Sequence, residues 1–365
     1  MTNTLIIGRK PENERILSAI ENGGNVLISG PVYRGKTYLV QSIMEVLSEN
    51  SVIPIYFNCM TGFSEKAFLE LFSKQIIKKI SVKLKNIFEE SNKYLPNIRP
   101  KINMNSLHGV DIRIDYNINN KDISQYLSEL IKVPTKIFDD TQQKIVVVFD
   151  EFQMVSQLTR INIKDLIRKS LGEGVSYIFV CSKQKETEQI IQKKDLKRMN
   201  IIDVIELETI PKEILFTYIE NHLKNNHIKY TPNIIERLIS VCSEEISFIR
   251  KILKIMIEKG LIFKRVSLMD ISDSIREIVS SYEDIFFIFF NSLSEHQKNL
   301  IIAIANFGGQ QIFKGDFIYQ NGLVSVPSVQ TSISALMKKN FVYKDDGGYK
   351  ITDFFFKEWL MRKFI

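Results

Sequence analysis

The sequence predicts an α/β fold: a parallel sheet with helices on both faces, then a helical region, then a terminal segment of helices and a hairpin. Three observations lead there. Short β-branched runs, of which Ile145-Val146-Val147-Val148-Phe149 is the purest, have the composition of strands buried on both faces. Stretches with apolar residues at helical spacing separate these runs, as crossovers between parallel strands require. After about Pro211 the strand signal stops and amphipathic helices take over.

In chain order, Leu5-Ile6-Ile7-Gly8-Arg9 is a short apolar lead-in, and a helix follows from about Glu12 to Asn22, stopped by Gly23-Gly24. Val26-Leu27-Ile28 is the first strand, with a helix from Tyr38 to about Ser48 after it. Ile53 to Asn58 is a second strand, and Phe68 to Ile80 a helix. The pattern then weakens, and residues 82–122 read as an exposed insertion whose runs at Ile102–Asn105 and Val110–Asp115 alternate as a hairpin would. Ile123 to Asp140 is helical with a break at Pro134. Beyond the strand at Ile145, Phe152 to Leu171 holds a helix, clearest from Asn162. Val175–Cys181 and Val204–Leu207 are the last strands, and the lysine-rich run Lys183–Arg198 between them is a charged helix.

Helices recur at Lys212–Leu223, Pro232–Val241, Ser247–Ile257 and Met269–Tyr282. Helices at Glu295–Asn306 and Val329–Asn340 flank a short Lys314–Gln320 segment. A hairpin follows, made of Phe341-Val342-Tyr343, the turn Asp345-Asp346-Gly347-Gly348, and Tyr349-Lys350-Ile351. Helix, helix, helix, hairpin is the winged-helix order. The expected division is therefore 1–208, 209–283 and 284–365.

Composition narrows the function classes. A chain of 365 residues can hold two or three domains. Gly and Pro number only 16 and 9, so long disordered segments are not expected. No apolar run reaches the roughly 18 residues that a membrane span needs, and the first residues lack a basic region followed by an apolar core. Cys59, Cys181 and Cys242 lie far apart, which suits buried free thiols in a reducing cytoplasm better than disulfides or a metal site. His108, His222, His227 and His296 form no ligand pattern. The net charge of +7 permits nucleic-acid binding without establishing it, because lysine is frequent throughout the chain.

Gly30-Pro31-Val32-Tyr33-Arg34-Gly35-Lys36-Thr37 has the G-x-x-x-x-G-K-T pattern of a phosphate-binding loop. A strand enters it and a helix leaves it, which is the setting the chemistry needs. Glycines let the backbone aim N–H groups at phosphate oxygens, and the helix start, through Tyr38, adds further donors and a positive dipole end. In this setting Lys36 would reach the β- and γ-phosphates of ATP and Thr37 would hold Mg²⁺. Asp150-Glu151 ends a buried strand, where parallel sheets place their sites. Asp150 would orient Mg²⁺ and Glu151 would activate water. Ser182 follows the next strand and is either a sensor of the γ-phosphate or a helix-capping serine. Arg34 either contacts phosphate or pairs with a surface carboxylate, and Arg9 either lines the nucleotide or faces solvent.

The helix of the terminal segment that would read DNA opens with Ser328-Val329-Gln330-Thr331-Ser332. Gln330 and Thr331 could reach base edges, and Lys338 and Lys339 could touch phosphate. No arginine lies there, and Asp345 and Asp346 in the wing would repel a phosphate backbone. Duplex DNA and a protein partner both remain open as its target.

Taken together, the chain resembles the archaeal-type ATPases of the STAND group, signal-transducing relatives of the AAA+ ATPases. The likeness runs over nearly the full length. It rests on Gly8-Arg9, the phosphate loop, Asp150-Glu151-Phe152-Gln153, Ser182, and the tail Ile351-Thr352-Asp353 with Phe356, Trp359 and Leu360. The resemblance implies a slow, Mg²⁺-dependent ATPase acting as a conformational switch, with an extra strand between the loop strand and the Asp-Glu strand. In it the region 209–283 is a lid over ATP or ADP. The chain departs from the family pattern in four places, the smallest being Cys181 where a glycine usually precedes the serine; the other three are larger. Lys10-Pro11-Glu12 follows Arg9 where Glu-x-Glu is usual, Tyr33 stands where a first loop arginine is usual, and the lid lacks the usual glycine and proline near Glu244 to Ser247. Orc/Cdc6-type replication initiators share the same three-part layout.

Overall fold

The computed structural model describes residues 7–62, 64–83, 93–94, 100–105, 109–114, 123–158, 161–182, 191–345 and 347–365. Part of the lead-in at Leu5-Ile6, much of the 82–122 insertion, the first half of the Lys183–Arg198 run and Asp346 of the wing turn lie outside these residues. The chain divides into two compact units, Met1–Thr209 and Ile210–Ile365.

The first unit is built on a five-stranded sheet. Its strands are β1 (Asn25–Gly30), β2 (Ile53–Asn58), β5 (Ile145–Asp150), β6 (Val175–Ser182) and β7 (Ile201–Glu206), with β3 (Pro100–Asn105) and β4 (Gly109–Ile114) pairing as a separate antiparallel hairpin. The spatial order is β2-β5-β6-β1-β7, and every pairing in the sheet is parallel. The strand that lies between the loop strand β1 and the Asp-Glu strand β5 is β6, as the resemblance implied. Burial on both faces explains the near-continuous apolar runs, since all six residues of β5 and all eight of β6 are buried.

The two faces of the sheet carry different cores, because side chains alternate along a strand. On one face Val146, Val148, Ile178 and Val180 pack against Ile16 and Ile20 of the helix Lys10–Glu21 and Leu39, Val40 and Ile43 of the helix Lys36–Glu49. On the other, Phe149, Tyr177 and Phe179 stack with interplanar angles of 4° to 9°. Phe57, Phe68 and Phe72 complete this aromatic cluster from β2 and the helix Glu65–Lys83.

Local chemistry sets several boundaries. The break expected at Pro134 falls at Lys132, between the helices Ile123–Ile131 and Val133–Thr141. The proline occupies the first turn of the second helix, where its missing N–H costs nothing. The helix expected over Phe152–Leu171 is instead a 3-10 turn, Phe152–Gln157, and a separate helix, Ile163–Arg168. Leu158 is extended, and the Asn162 side chain accepts the Asp165 N–H at 3.2 Å, so the helix starts afresh there. The described end of the lysine-rich run is the short helix Lys193–Arg198.

The second unit begins with the helices Lys212–Asn225, Pro232–Val241, Ile246–Phe263 and Leu268–Ser281. A further helix, Glu283–Asn291, was not expected: it is apolar on nearly every side and gives no clean period. Helices Glu295–Phe307, Gly315–Gln320 and Val326–Lys338 precede the hairpin β8 (Val342–Asp345) and β9 (Gly348–Ile351), and the helix Phe354–Phe364 closes the chain. Gly309 bridges to Tyr349, adding a third backbone segment to the wing. The tail residues have structural roles. Asp353 accepts the Phe356 N–H at 2.9 Å as a helix cap, and Trp359, 1% exposed, packs among Phe286, Phe290, Phe356 and Phe364. Among the described residues no helix is long and apolar enough to cross a membrane.

Phe149 touches ring neighbours on two strands, a helix and the 3-10 turn, and is fully buried. Phe149→Ala should lower unfolding free energy by about 3–5 kcal/mol in urea titration, because the packed cluster cannot collapse onto the void.

Candidate functional site

The carboxyl ends of β1, β5 and β6 come together at one end of the sheet. Register places Gly30 opposite Ser182 and Asn58 opposite Asp150. A site assembled here draws on residues far apart in sequence and needs no further folding to bring them close.

The phosphate loop leaves β1 at Gly30, whose φ of 152° lies where L-residues are strained. A Cβ at Gly30 would also sit 2.8 Å from the Leu207 carbonyl oxygen, so only glycine fits between the loop and the chain leaving β7. Tyr33 and Gly35 take left-handed φ values of 68° and 81°. These turns curl the loop before the helix starts at Lys36, with Gly35 as its cap. Pro31, Val32, Tyr33, Arg34 and Tyr38 are half-buried around the loop, and Thr37 is exposed. Lys36 is 5% exposed and its ammonium donates to the Gly30 and Pro31 carbonyls at 2.8 and 2.7 Å. The loop thus wraps around the side chain that would meet phosphate.

Arg9 braces the loop from beneath. It is 6% exposed, pairs with Glu12 at 2.8 Å, and donates to the Arg34 carbonyl at 3.3 Å and to the Glu208 carbonyl. Of its two readings, the solvent-facing one does not hold. The surroundings seen here are loop backbone, which the Gly-Arg lead-in alone could not reveal.

Asp150, 1% exposed, is the most heavily engaged carboxylate of the site. Its Oδ1 accepts the Glu151 N–H at 2.9 Å. Its Oδ2 accepts the Thr37 hydroxyl at 2.8 Å and the Tyr56 hydroxyl at 2.7 Å. Burial first, then the bond to Asp150, then the charges of Asp150 and Glu151 raise the Tyr56 pKa far above the usual phenol range, so it stays a donor. Glu151 has φ 52°, an unusual conformation for a residue with a side chain. It turns the chain sharply out of β5 and aims its carboxylate at Ser182, whose hydroxyl donates at 3.1 and 3.3 Å. Gln153 donates to Glu151 through its amide nitrogen and accepts the Ser182 N–H at 3.3 Å through its amide oxygen.

The structure therefore brings together Lys36, Thr37, Asp150, Glu151 and Ser182, with Arg9 beneath. It adds Tyr56 and Gln153, which sequence inspection did not single out as site residues. A signal existed for Tyr56. A tyrosine in a buried strand brings a hydroxyl that needs a partner, and β2 ends beside Asp150. Gln330, Thr331 and Lys338 belong to the second unit and lie exposed on the helix Val326–Lys338. Lys339 is exposed too, but its ammonium is engaged by the Ser292 carbonyl at 3.0 Å.

A hydroxyl and a carboxylate, held together beside a loop of backbone donors, form the hard-oxygen set that Mg²⁺ takes with a nucleotide phosphate. The donor chemistry fits the group. Among the described residues no cluster of three or more His, Cys, Asp and Glu side chains is arranged around a metal site.

The chain resembles solved structures over almost its whole length. A Walker-type ATPase of Pyrococcus abyssi matches with TM-score 0.62 and 14% identity, over 98% of this chain and 96% of that one. The ORC1 protein of Aeropyrum pernix in complex with DNA matches with TM-score 0.56 and 13% identity, over 98% and 93%. The ORC2 protein of Aeropyrum pernix in its ADP form matches with TM-score 0.51 and 16% identity, over 98% and 94%. At these identities the likeness establishes the fold, that of Orc/Cdc6-like P-loop ATPases. A family described as a probable winged helix domain matches residues 284–362. No curated protein matches the chain in sequence.

Cys59 and Cys181 lie beside the site, both buried. Burial, reinforced by Asp150 for Cys59 and by Glu151 for Cys181, pushes both thiols up, that of Cys181 to about 12. Burial does the same for Cys242. At pH 8 the reactive thiolate is therefore suppressed in all three. Iodoacetamide followed by mass spectrometry should leave all three unmodified in the native protein and label all three in denaturant.

Proposed function

We propose that the protein is a STAND-type ATP switch, binding ATP with Mg²⁺ on Gly30–Thr37 and hydrolysing it slowly. One observation carries this reading. The Thr37 hydroxyl rests on the Asp150 carboxylate at 2.8 Å, joining the phosphate loop to the acidic strand across 113 positions of sequence. A phosphate loop alone speaks only for anion binding; an acidic centre fixed against its last residue adds the place where a phosphoryl group is cut.

Each side chain has a part. The loop N–H groups and Lys36 bind the β- and γ-phosphates, and Arg9 keeps the loop in shape. Arg34 lies within the loop as a further phosphate contact. Thr37 and Asp150 hold Mg²⁺, which when bound neutralises charge on the phosphate oxygens. Glu151 orients water and takes its proton at the carboxylate. Ser182 and Gln153 fix the direction of that carboxylate, and Ser182 is placed to respond to the γ-phosphate.

In this reading the chain comprises an ATPase domain at 1–208, a helical lid at 209–283 and a winged helix at 284–365. Nucleotide state governs the lid and the winged helix, and through them a protein partner. The three buried free thiols suit the cytoplasm.

A second reading has its own support. The resemblance to ORC1 spans 98% of the chain, and that structure contains DNA. Exposed Gln330, Thr331 and Lys338 offer base and phosphate donors on the corresponding kind of helix. Here the protein is a DNA-binding ATPase and duplex DNA is the partner.

Two measurements test these readings. Lys36→Ala should abolish ATP binding in calorimetry, whereas Glu151→Gln should bind ATP and lose turnover by at least about a hundredfold. Unchanged affinity in Lys36→Ala contradicts the site. A mobility shift on duplex DNA, repeated across salt, separates the partners. Affinity falling steeply with salt supports the DNA reading, and no shift at physiological salt supports the protein partner.

A further inference from the structure

Among the described residues, Tyr56 is the side chain bonded to the acidic centre that the proposed chemistry leaves without a task. Its hydroxyl donates to Asp150 Oδ2 at 2.7 Å, from the strand next to β5. The root of the ring is fixed by sheet backbone, since Tyr56 pairs with Val148 and Asn58 with Asp150 in one continuous parallel register. Its ring is half-buried and packs at the margin of the aliphatic core. The backbone register and the hydroxyl bond thus hold the two ends of the side chain.

The three donors on Asp150 are not equivalent. Oδ1 takes the N–H of the next residue, which restrains the carboxylate only near its own backbone. Oδ2 takes Thr37 and Tyr56 together. Thr37 belongs to the phosphate loop and is exposed. Its oxygen can take a cation through a lone pair while its hydrogen still points at Asp150, so its position is tied to both loop and cation. Tyr56 is the side-chain donor to Oδ2 that comes from outside the phosphate loop.

We propose that Tyr56 is a positioning residue that holds the Asp150 carboxylate in place for a hard divalent cation, so that the cation's contribution to nucleotide binding depends on the Tyr56 hydroxyl. The proposal rests on the ATP–Mg²⁺ reading above. It acts through Asp150, and Tyr56 itself touches neither cation nor phosphate. Partners of this kind around a metal ligand commonly govern affinity by about ten- to a hundredfold.

Tyr56→Phe removes one oxygen and keeps the ring. The test is equilibrium titration of a fluorescent ATP analogue into wild type and Tyr56→Phe, in EDTA and in saturating Mg²⁺. It is paired with Mn²⁺ titration of the nucleotide complex followed by electron paramagnetic resonance. Thermal unfolding of the variant confirms that it folds. The expected result is unchanged affinity in EDTA, a gain from Mg²⁺ reduced about tenfold or more, and a Mn²⁺ requirement raised by a similar factor. Three outcomes overturn the inference alone: an unchanged gain from Mg²⁺, a tighter Mn²⁺ site, or equal loss of affinity with and without metal. Wild-type protein that binds no nucleotide under either condition overturns the ATP reading, and this inference with it.

Discussion

The structure of the site depends on the burial of one carboxylate. Asp150 lies at the end of a strand with no exposed residue, 1% open to solvent. Removing such a group from water costs several kcal/mol after relaxation. Hydrogen bonds to charged groups return about 1.5–3 kcal/mol each, so the three donors on Asp150 are of the size needed to offset the cost. Those donors come from the phosphate loop, from β2 and from the backbone of Glu151. Satisfying one buried group therefore fixes three parts of the site relative to each other. The same demand explains why Glu151 tolerates a left-handed backbone at φ 52°. In that turn its N–H reaches Asp150 while its side chain reaches Ser182. Strain of order 1–3 kcal/mol at such a position is typical of sites whose surroundings over-determine the chain.

A second constraint lies under the loop. Gly30 has no room for a side chain against Leu207, and Arg9 ties the Arg34 carbonyl to the Glu208 carbonyl. The Leu207 N–H also bonds Ser29 at 2.7 Å. The loop, the lead-in and the last residues of the first unit thus form one hydrogen-bonded assembly. For a protein proposed as a switch this matters: Glu208 directly precedes the end of the first unit at Thr209.

Much of this was legible in the sequence because the strongest signals are local. Ile145 to Phe149 announces a buried strand by composition, and the loop pattern announces a phosphate site by spacing. The winged-helix order follows from three helices and a Gly-rich hairpin turn. What escaped is non-local or without period. The extended residue Leu158 and the restart at Asn162 divide the run Phe152–Leu171, whose helical pattern is clear only from Asn162. The helix Glu283–Asn291 is apolar on nearly every side, so its sequence does not show which face, Phe286 and Phe290, is buried. Tyr56 and Gln153 become site residues only once β2 and β6 are known to flank β5, a fact of sheet order. Arg9 shows the opposite limit: its importance was visible, but besides Glu12 its partners are backbone carbonyls at positions 34 and 208, which carry no side-chain signature.

The central claim is that Gly30–Thr37 and Asp150 form a single site for ATP with Mg²⁺. A crystal structure with a non-hydrolysable ATP analogue and Mg²⁺ tests it most directly. The account predicts the β- and γ-phosphates inside the Gly30–Thr37 loop, the cation at about 2.1 Å from the Thr37 hydroxyl oxygen, and Asp150 in its coordination or water shell. A nucleotide bound elsewhere, or a loop left empty at millimolar nucleotide, would contradict it.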